Sequence, residues 1–422
     1  MRNALLIPLI LTALSLMAAS GCGSAPGSNS TSPDARQTVR TGAEMLLDER
    51  LGELEDLRVG LLMNPTSRVD GVHMLDTLLA RGVNVTALFA AEHGFRGEGE
   101  AGETIENGID QATGLPVYSL YGQTRTPTPE MMEEVDVVLA DLPDVGARFY
   151  TYSSTVGNVL EAAAGAGVSV WVLDRPNPAG GEYVAGWVVE DRFRSFVGRY
   201  PVPMIHGMTM GELARMMVGE GWISADREPD LQVVEMEGWS RDMLWPETGL
   251  EWIAPSPNLP AFDNAYLYLG TVLFEGTNLS EGRDTEQPFL LIGSPATDNS
   301  YERIVELDER HAGVGMEPEG YQPCTKAAGR HGQIDYDGRR CYGVLLTLED
   351  PSAVDPLVLG TDLLRFLLEH TEGGAVNAYM QNLTGIPNDS LRAWLQREDI
   401  SATWEDEVRA FRELRRPYLL YE

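Results

Sequence analysis

Lysine is almost absent from this chain of 422 residues: Lys326 is the only one, and arginine supplies the rest of the positive charge. With a formal net charge of −33, nucleic acid is excluded as a partner, because neutralising phosphates takes a basic stripe and none offsets the global field. The same scarcity gives weight to any arginine beside a polar cluster, since an anionic ligand needs local positive charge to approach such a surface. Cysteine is nearly missing too. Besides Cys22 there are only Cys324 and Cys341, and the histidines at 73, 93, 206, 311, 331 and 370 show no HExxH pattern and no partner CxxC. No metal site and no cofactor is therefore expected. If the chain is exported, the two later cysteines form either a disulfide across a loop or two buried thiols. Gly94, Gly97, Gly99 and Gly102 lack the GxGxxG or GxxxxGK[ST] order that cradles phosphates, and no GxSxG elbow presents a nucleophilic serine. Beyond residue 22 no apolar run is long enough to span a bilayer.

What is present begins with an address. Arg2 precedes a mostly apolar run from Ala4 to Ala19, followed by Ala19-Ser20-Gly21-Cys22, the layout of a secretory signal. The end of this segment resembles the bacterial lipoprotein box, which implies cleavage before Cys22 and lipidation of that cysteine; an ordinary cleaved signal is the alternative. Residues 1–22 are thus expected to be a signal peptide and 23–38, "GSAPGSNSTSPDARQT", a flexible tether. The protein is expected to be exported, anchored in the membrane by its lipid as a cell-envelope lipoprotein, and periplasmic.

The body, 43% hydrophobic with a mean hydropathy of −0.17, is long enough for two domains. From residue 41 to 174 helical and strand-like patterns alternate, with strands in "RVGLLMN", "NVTALFA", "PVYSLY", "DVVLADL" and "VSVWVLD". Strands this apolar, separated by helices, predict a parallel sheet covered on both faces. We expect an α/β Rossmann-like domain over 39–184. Past residue 185 the rhythm stops, and strands such as "LQVVEME" and "YGVLLTLED" followed by a helical end predict a second, α+β domain over 185–422, with the active-site cleft between the two.

Polar clusters follow the carboxyl ends of the predicted strands: Asn64; Glu92 with His93 and Arg96; Asp141, Asp144 and Arg148; then Asp174, Arg175 and Asn177. In open α/β sheets ligands bind outside those ends. Asn64 and Asp174 are equally well read as caps or turn formers, but Glu92 is a poor turn former, and its position against an apolar run points to a ligand. Carboxylates are the strongest chemical candidates. Glu92, Asp144, Asp174, Glu275 and Glu281 lie in segments dense with glycine, asparagine and arginine, and a buried carboxyl there suits general acid work of the kind glycosidic hydrolysis requires. Arg148, Arg175 and Arg283 could clamp an anionic substituent, and Tyr150, Tyr152 and Trp252 could line a sugar-stacking wall. His206, in "PMIHGMTMGELA", reads equally as a loop histidine or a site group.

"AAEHGFRGEGEAGE", "YSLYGQTRTPTPEMM", "DLPDVGARFYTYSST", "VLDRPNPAGG", "SFVGRYPVPMIHGMTMGELA", "PSPNLP", "LFEGTNLSEGRDTEQPF" and "FRELRRPYLLY", in this order, resemble the bacterial exo-β-N-acetylmuramidases of the NamZ type from about residue 40 onward. The resemblance implies a glycoside hydrolase that removes N-acetylmuramic acid from the non-reducing end of peptidoglycan fragments. It implies Glu92 of the EHG motif as the catalytic group, with His93 and Asp144 beside it. Asn64, Arg96, Arg148, Tyr150, Tyr152, Asp174, Arg175, Asn177, His206, Asn258, Glu275, Asn278, Glu281 and Arg283 are then expected to line the cleft. Two stretches depart from the family pattern: Asp141-Leu142-Pro143-Asp144 lacks its glutamine, and Gly282-Arg283-Asp284-Thr285-Glu286 with Leu290 changes the charge near the expected cleft. A non-catalytic envelope lipoprotein that captures muropeptide or sugar is the competing reading; an esterase or deacetylase would need a serine or metal site that the sequence does not display.

Overall fold

The computed structural model describes residues 38–96, 107–283, 285–322, 336 and 339–422. The expected signal segment, its lipidation site Cys22, all of the tether but residue 38, Cys324 and Asp284 lie outside the described residues. Cys341 is disulfide-bonded and buried.

The chain order of strands is β1 (Val59–Met63), β2 (Arg68–Val69), β3 (Val72–His73), β4 (Val85–Ala90), β5 (Gly108–Ile109), β6 (Pro116–Ser119), β7 (Val137–Asp141), β8 (Ser169–Leu173), β9 (Leu231–Val234), β10 (Leu291–Ser294), β11 (Val314–Tyr321) and β12 (Cys341–Leu348). Seven of them form one sheet in the order β5-β6-β4-β1-β7-β8-β9, parallel except for the short edge strand β5. Every residue of β1 and β7 is buried. Their side chains divide by strand alternation between two cores: Leu62, Val138 and Ala140 on one face, Val59, Leu61, Met63, Val137 and Leu139 on the other. This is why both strands read as unbroken apolar runs.

Residues Gln37–Glu422 form one compact unit. The sheet does not end at the expected boundary of 184/185, because the helix Met210–Gly219 and strand β9 extend it alongside β8. The segment "LQVVEME" therefore belongs to the first layer, not to the second domain. The long stretch between β8 and that helix hides the βα rhythm from a reading of local pattern. Beyond it, β10, β12 and β11 make a three-stranded antiparallel sheet. Helices Phe262–Thr271 and Pro356–Glu369 cross where Gly270 meets Gly360; a Cβ on Gly270 would lie 1.8 Å from the Pro356 carbonyl oxygen. Only glycine allows backbones to approach so closely.

Candidate active site

Chain order and sheet order reverse at one point. From β1 the chain adds β4 and β6 on one side and then crosses to add β7, β8 and β9 on the other. The crevice outside the carboxyl ends of β1 and β7 is the topological switch point, where ligands of such sheets bind. A narrow cleft lies there, lined by Thr66 after β1, Asp144 after β7 and Arg175 after β8, and closed by Trp245, Trp252 and Pro255 from a later loop.

Glu92 stands two residues past β4, next to this crevice. Its half-buried carboxylate accepts a 2.8 Å hydrogen bond at Oε2 from the Thr151 hydroxyl, at the start of the helix Tyr152–Ala166. Asn64 Nδ2 donates to the Tyr152 hydroxyl at 2.9 Å, and that hydroxyl donates to the Pro255 carbonyl at 3.0 Å, 3.4 Å from the carbonyl oxygen of Glu92. Tyr150 donates to the same Pro255 carbonyl at 3.0 Å, and the two rings meet edge-on with centroids 4.9 Å apart. Burial raises both phenols above their ordinary value, so they remain donors. His93, next along the chain, is buried and has φ of 73°. Of the four non-glycine residues with left-handed backbone among the described residues, His93 and Phe289 both belong to this neighbourhood. Strain of this kind survives only where surrounding structure enforces it.

Asp144 and His206 form a buried pair beside the cleft, Nε2 to Oδ1 4.0 Å. Asp144 Oδ1 accepts from the Gly146 backbone at 2.7 Å; Gly146 has φ of 83°, and a Cβ there would lie 2.6 Å from Asn177 Oδ1. His206 Nδ1 accepts from the Met208 backbone at 3.2 Å, which assigns the proton of the neutral ring to Nε2. Asp144 Oδ2 and His206 Nε2 have no hydrogen-bond partner among the described residues. Burial pushes the Asp144 carboxyl up to about 7 and the His206 imidazole down to about 3. Both groups are therefore neutral between those values. The folded state binds the Asp144 proton more tightly than the unfolded chain, so Asp144 favours the fold at low pH. That contribution is lost as pH rises from about 3.8 through about 7. The Asp144→Asn variant removes this loss. Its stability relative to the parent, from urea titrations, is expected to grow by about 1–4 kcal/mol between pH 4 and pH 7 and to be level above. A difference that stays constant with pH would exclude a buried, protonated Asp144.

Several residues expected at the ligand are committed to the fold instead. Arg148 is buried and gives its guanidinium to three carbonyls, Trp187 at 2.6 Å, Val202 at 2.9 Å and Leu383 at 2.8 Å. Arg96 forks onto Asp110 and reaches Asp76. Asp174 accepts from Thr209, from the Gly211 backbone and from Tyr421 near the carboxyl end of the chain. Asn177 bridges the Met208 carbonyl and the Ala179 backbone, and Asn278 does the same for Gly373 and Ala375. In each case buried or converging backbone groups need a partner, and the polar side chain supplies it. Asn258 sits half-buried in the loop past Trp252, its backbone donating to Ser256 Oγ.

Arg175 differs from these. Its Nε and Nη2 hold Asp141 at 2.5 and 2.9 Å, yet the residue also lines the cleft. Arg283 lies between Glu275 and Glu281 and over the Phe289 ring, 4.8 Å from its centroid. A line of rings joins it to the Glu92 wall: Tyr152 to Tyr150, Tyr150 to Tyr268 at 6.4 Å, Tyr268 to Phe289 at 4.7 Å. Two carboxylates around one guanidinium leave this corner unfavourable for an anion. Glu286, one of the departures, is exposed and faces a separate hollow with Glu319 and Tyr321.

The sequence reading missed Thr151, Trp245 and Tyr268, whereas Thr66 belongs to the polar cluster that follows β1 with Asn64. Thr151 stood inside a quoted motif, beside two tyrosines already singled out, while Tyr268 lies in a helix with no local polar signal. Among the described residues no group of three or more His, Cys, Asp and Glu side chains could hold a metal ion.

Comparison with known proteins places the whole fold among relatives. Residues 59–263 match the family model described as exo-beta-N-acetylmuramidase NamZ, N-terminal, and residues 266–421 match its C-terminal counterpart. The peptidoglycan beta-N-acetylmuramidase NamZ of Bacillus subtilis (strain 168) is 37% identical over 408 residues, covering 93% of this chain and 95% of that protein. Two crystal structures of DUF1343 family proteins from Bacteroides fragilis NCTC 9343 superpose with TM-scores of 0.79 and 0.76. They are 32% and 31% identical, covering 91% and 92% of this chain and 99% of each of theirs.

Proposed function

Because the chain belongs to the exo-beta-N-acetylmuramidase NamZ family, we propose that it hydrolyses the glycosidic bond of N-acetylmuramic acid at the non-reducing end of peptidoglycan fragments. The observation that carries the reading within the molecule is the Glu92 carboxyl beside the switch-point crevice, held by Thr151 and flanked by buried tyrosines. Cleaving a glycosidic bond requires a proton for the departing oxygen, and Glu92 supplies it as general acid. Thr151 is a positioning residue. Tyr150 and Tyr152, buried and anchored on Pro255, fix the wall behind Glu92. Trp252 continues that wall along the cleft.

The lactyl carboxylate of muramic acid needs a cation. Arg148 is spent on backbone carbonyls and Arg283 is held by two carboxylates, so the cleft edge of Arg175 is the group best suited to receive it. Asp144, protonated below about pH 7, offers a donor to a substrate hydroxyl or acetamido oxygen. We further propose that the amino-terminal segment ending in Cys22 exports the protein and tethers it by lipid to the membrane at the periplasmic face, where such fragments occur. Arg2, the apolar run and the small residues before Cys22 support this.

The test is release of free N-acetylmuramic acid from a muramyl-glucosaminyl disaccharide. No release, with the disaccharide still bound, would leave a capture protein. Thr151→Ala is expected to lower kcat about tenfold, equivalent to about 1.4 kcal/mol in the barrier, with little effect on KM. An unchanged kcat would remove Thr151 from the positioning of Glu92.

A further inference from the structure

The helix that begins beside Glu92 carries a second pocket on its outer side. Asn158 and Glu161 lie on this helix, and Asn158 is about 10 Å along its axis from Thr151 by helical rise. Together with the segments at 125–126, 194–200 and 222–224 they line an open hollow of about 520 Å³, a volume within the range of small-ligand sites.

Its walls combine guanidinium groups with flat rings. Arg125 stands 4.4 Å over the Phe196 ring and makes no ion pair among the described residues. Among the described residues Arg194 pairs only with the exposed Asp191, at 2.7 Å. Arg199 is fixed to Glu161 at 2.6 Å, and Tyr200 and Trp222 stack with centroids 5.8 Å apart. Glu161, the carboxylate lining the pocket, is neutralised by Arg199 and also accepts from the Ser224 backbone. Ser195 lines the pocket too, and its buried hydroxyl has no hydrogen-bond partner among the described residues. In a chain of net charge −33, a pocket with two arginines not held by a buried carboxylate is a local inversion of sign. Positive charge at such a place raises the local concentration of anions.

We propose that this pocket is a second carbohydrate subsite, which takes a carboxylate-bearing amino sugar further along the glycan strand whose end is cleaved at Glu92. Arg125 and Arg194 receive the carboxylate by charge-assisted hydrogen bonds. Trp222 and Phe196 supply the faces on which the sugar ring rests, and Ser195 supplies a polar contact, while Asn158 holds the Arg125 carbonyl and the Arg199 guanidinium in place. The helix links the two sites: Thr151 at its start holds Glu92, and Ser154, less than one turn on, donates to the Phe196 carbonyl at 2.8 Å. The proposal rests on the muramidase reading for the direction of the strand.

Kinetics on two substrates test it: the muramyl-glucosaminyl disaccharide, and the tetrasaccharide made of two such units. The parent is expected to show a KM about tenfold lower for the tetrasaccharide. The double variant Arg125→Ala/Arg194→Ala is expected to lose that advantage while its disaccharide kinetics stay unchanged. Both side chains are at the surface, so the variant folds. Equal loss on both substrates, or no loss on either, overturns the proposal. If the parent cleaves neither substrate, the muramidase reading fails, and calorimetric binding decides the pocket separately. Tighter binding of the tetrasaccharide than of the neutral chitotetraose, abolished in the double variant, supports an acidic-sugar site; equal binding of the two sugars overturns it.

Discussion

Glu92→Gln is expected to lower the release of N-acetylmuramic acid by about 10²–10⁴-fold while leaving the unfolding transition within about 0.5 kcal/mol of the parent. Glutamine preserves the size of the side chain and an oxygen that accepts from Thr151, so the 2.8 Å contact at Oε2 has a substitute. What it cannot do is give up a proton to the leaving oxygen. The effect should fall on kcat, because the sugar rests on rings and donors that the substitution leaves in place. Activity retained within tenfold would remove Glu92 from the chemistry. Activity lost together with the fold would leave the assignment to Glu92→Asp, which keeps the acid but withdraws it by one methylene.

Arg148→Ala should act in the opposite way, through stability. The guanidinium joins carbonyls of three segments far apart in sequence, at Trp187, Val202 and Leu383. Burial lowers the group to about 9, a sign that the protein accepts a desolvated cation in order to satisfy those oxygens. Removing it leaves buried acceptors without donors, at a cost of about 3–5 kcal/mol in total. Urea midpoints should fall accordingly, while kcat/KM per folded molecule is preserved within about twofold. An unchanged midpoint with a raised KM for muramyl substrates would return Arg148 to the ligand site.

These two residues also mark what can be read without coordinates. Glu92 and Arg148 both follow strands in glycine- and aromatic-containing stretches, and both are polar against an apolar run. Local sequence says that each must find a partner; it does not say whether the partner is a ligand or a distant carbonyl. Leu383, one of Arg148's acceptors, is more than half the chain away. Arg175 is a mixed case, because its Asp141 partner ends β7 and could be inferred from strand order, whereas its exposure to the cleft depends on how the 245–255 loop closes over it.

The sequence by itself determined the alternating α/β layer, the unbroken apolar strands, the polar residues at their carboxyl ends and the family motifs that surround Glu92. Each of these is written in patterns a few residues long, where strand alternation and the cost of burying charge act locally. Only the tertiary structure decided that β9 belongs to the large sheet, that the switch point lies between β1 and β7, and that Thr151 holds Glu92. It alone separated Arg148 from Arg175. Hydrogen-bond satisfaction in a packed interior joins residues hundreds of positions apart, and no short stretch of chain encodes both ends of such a bond.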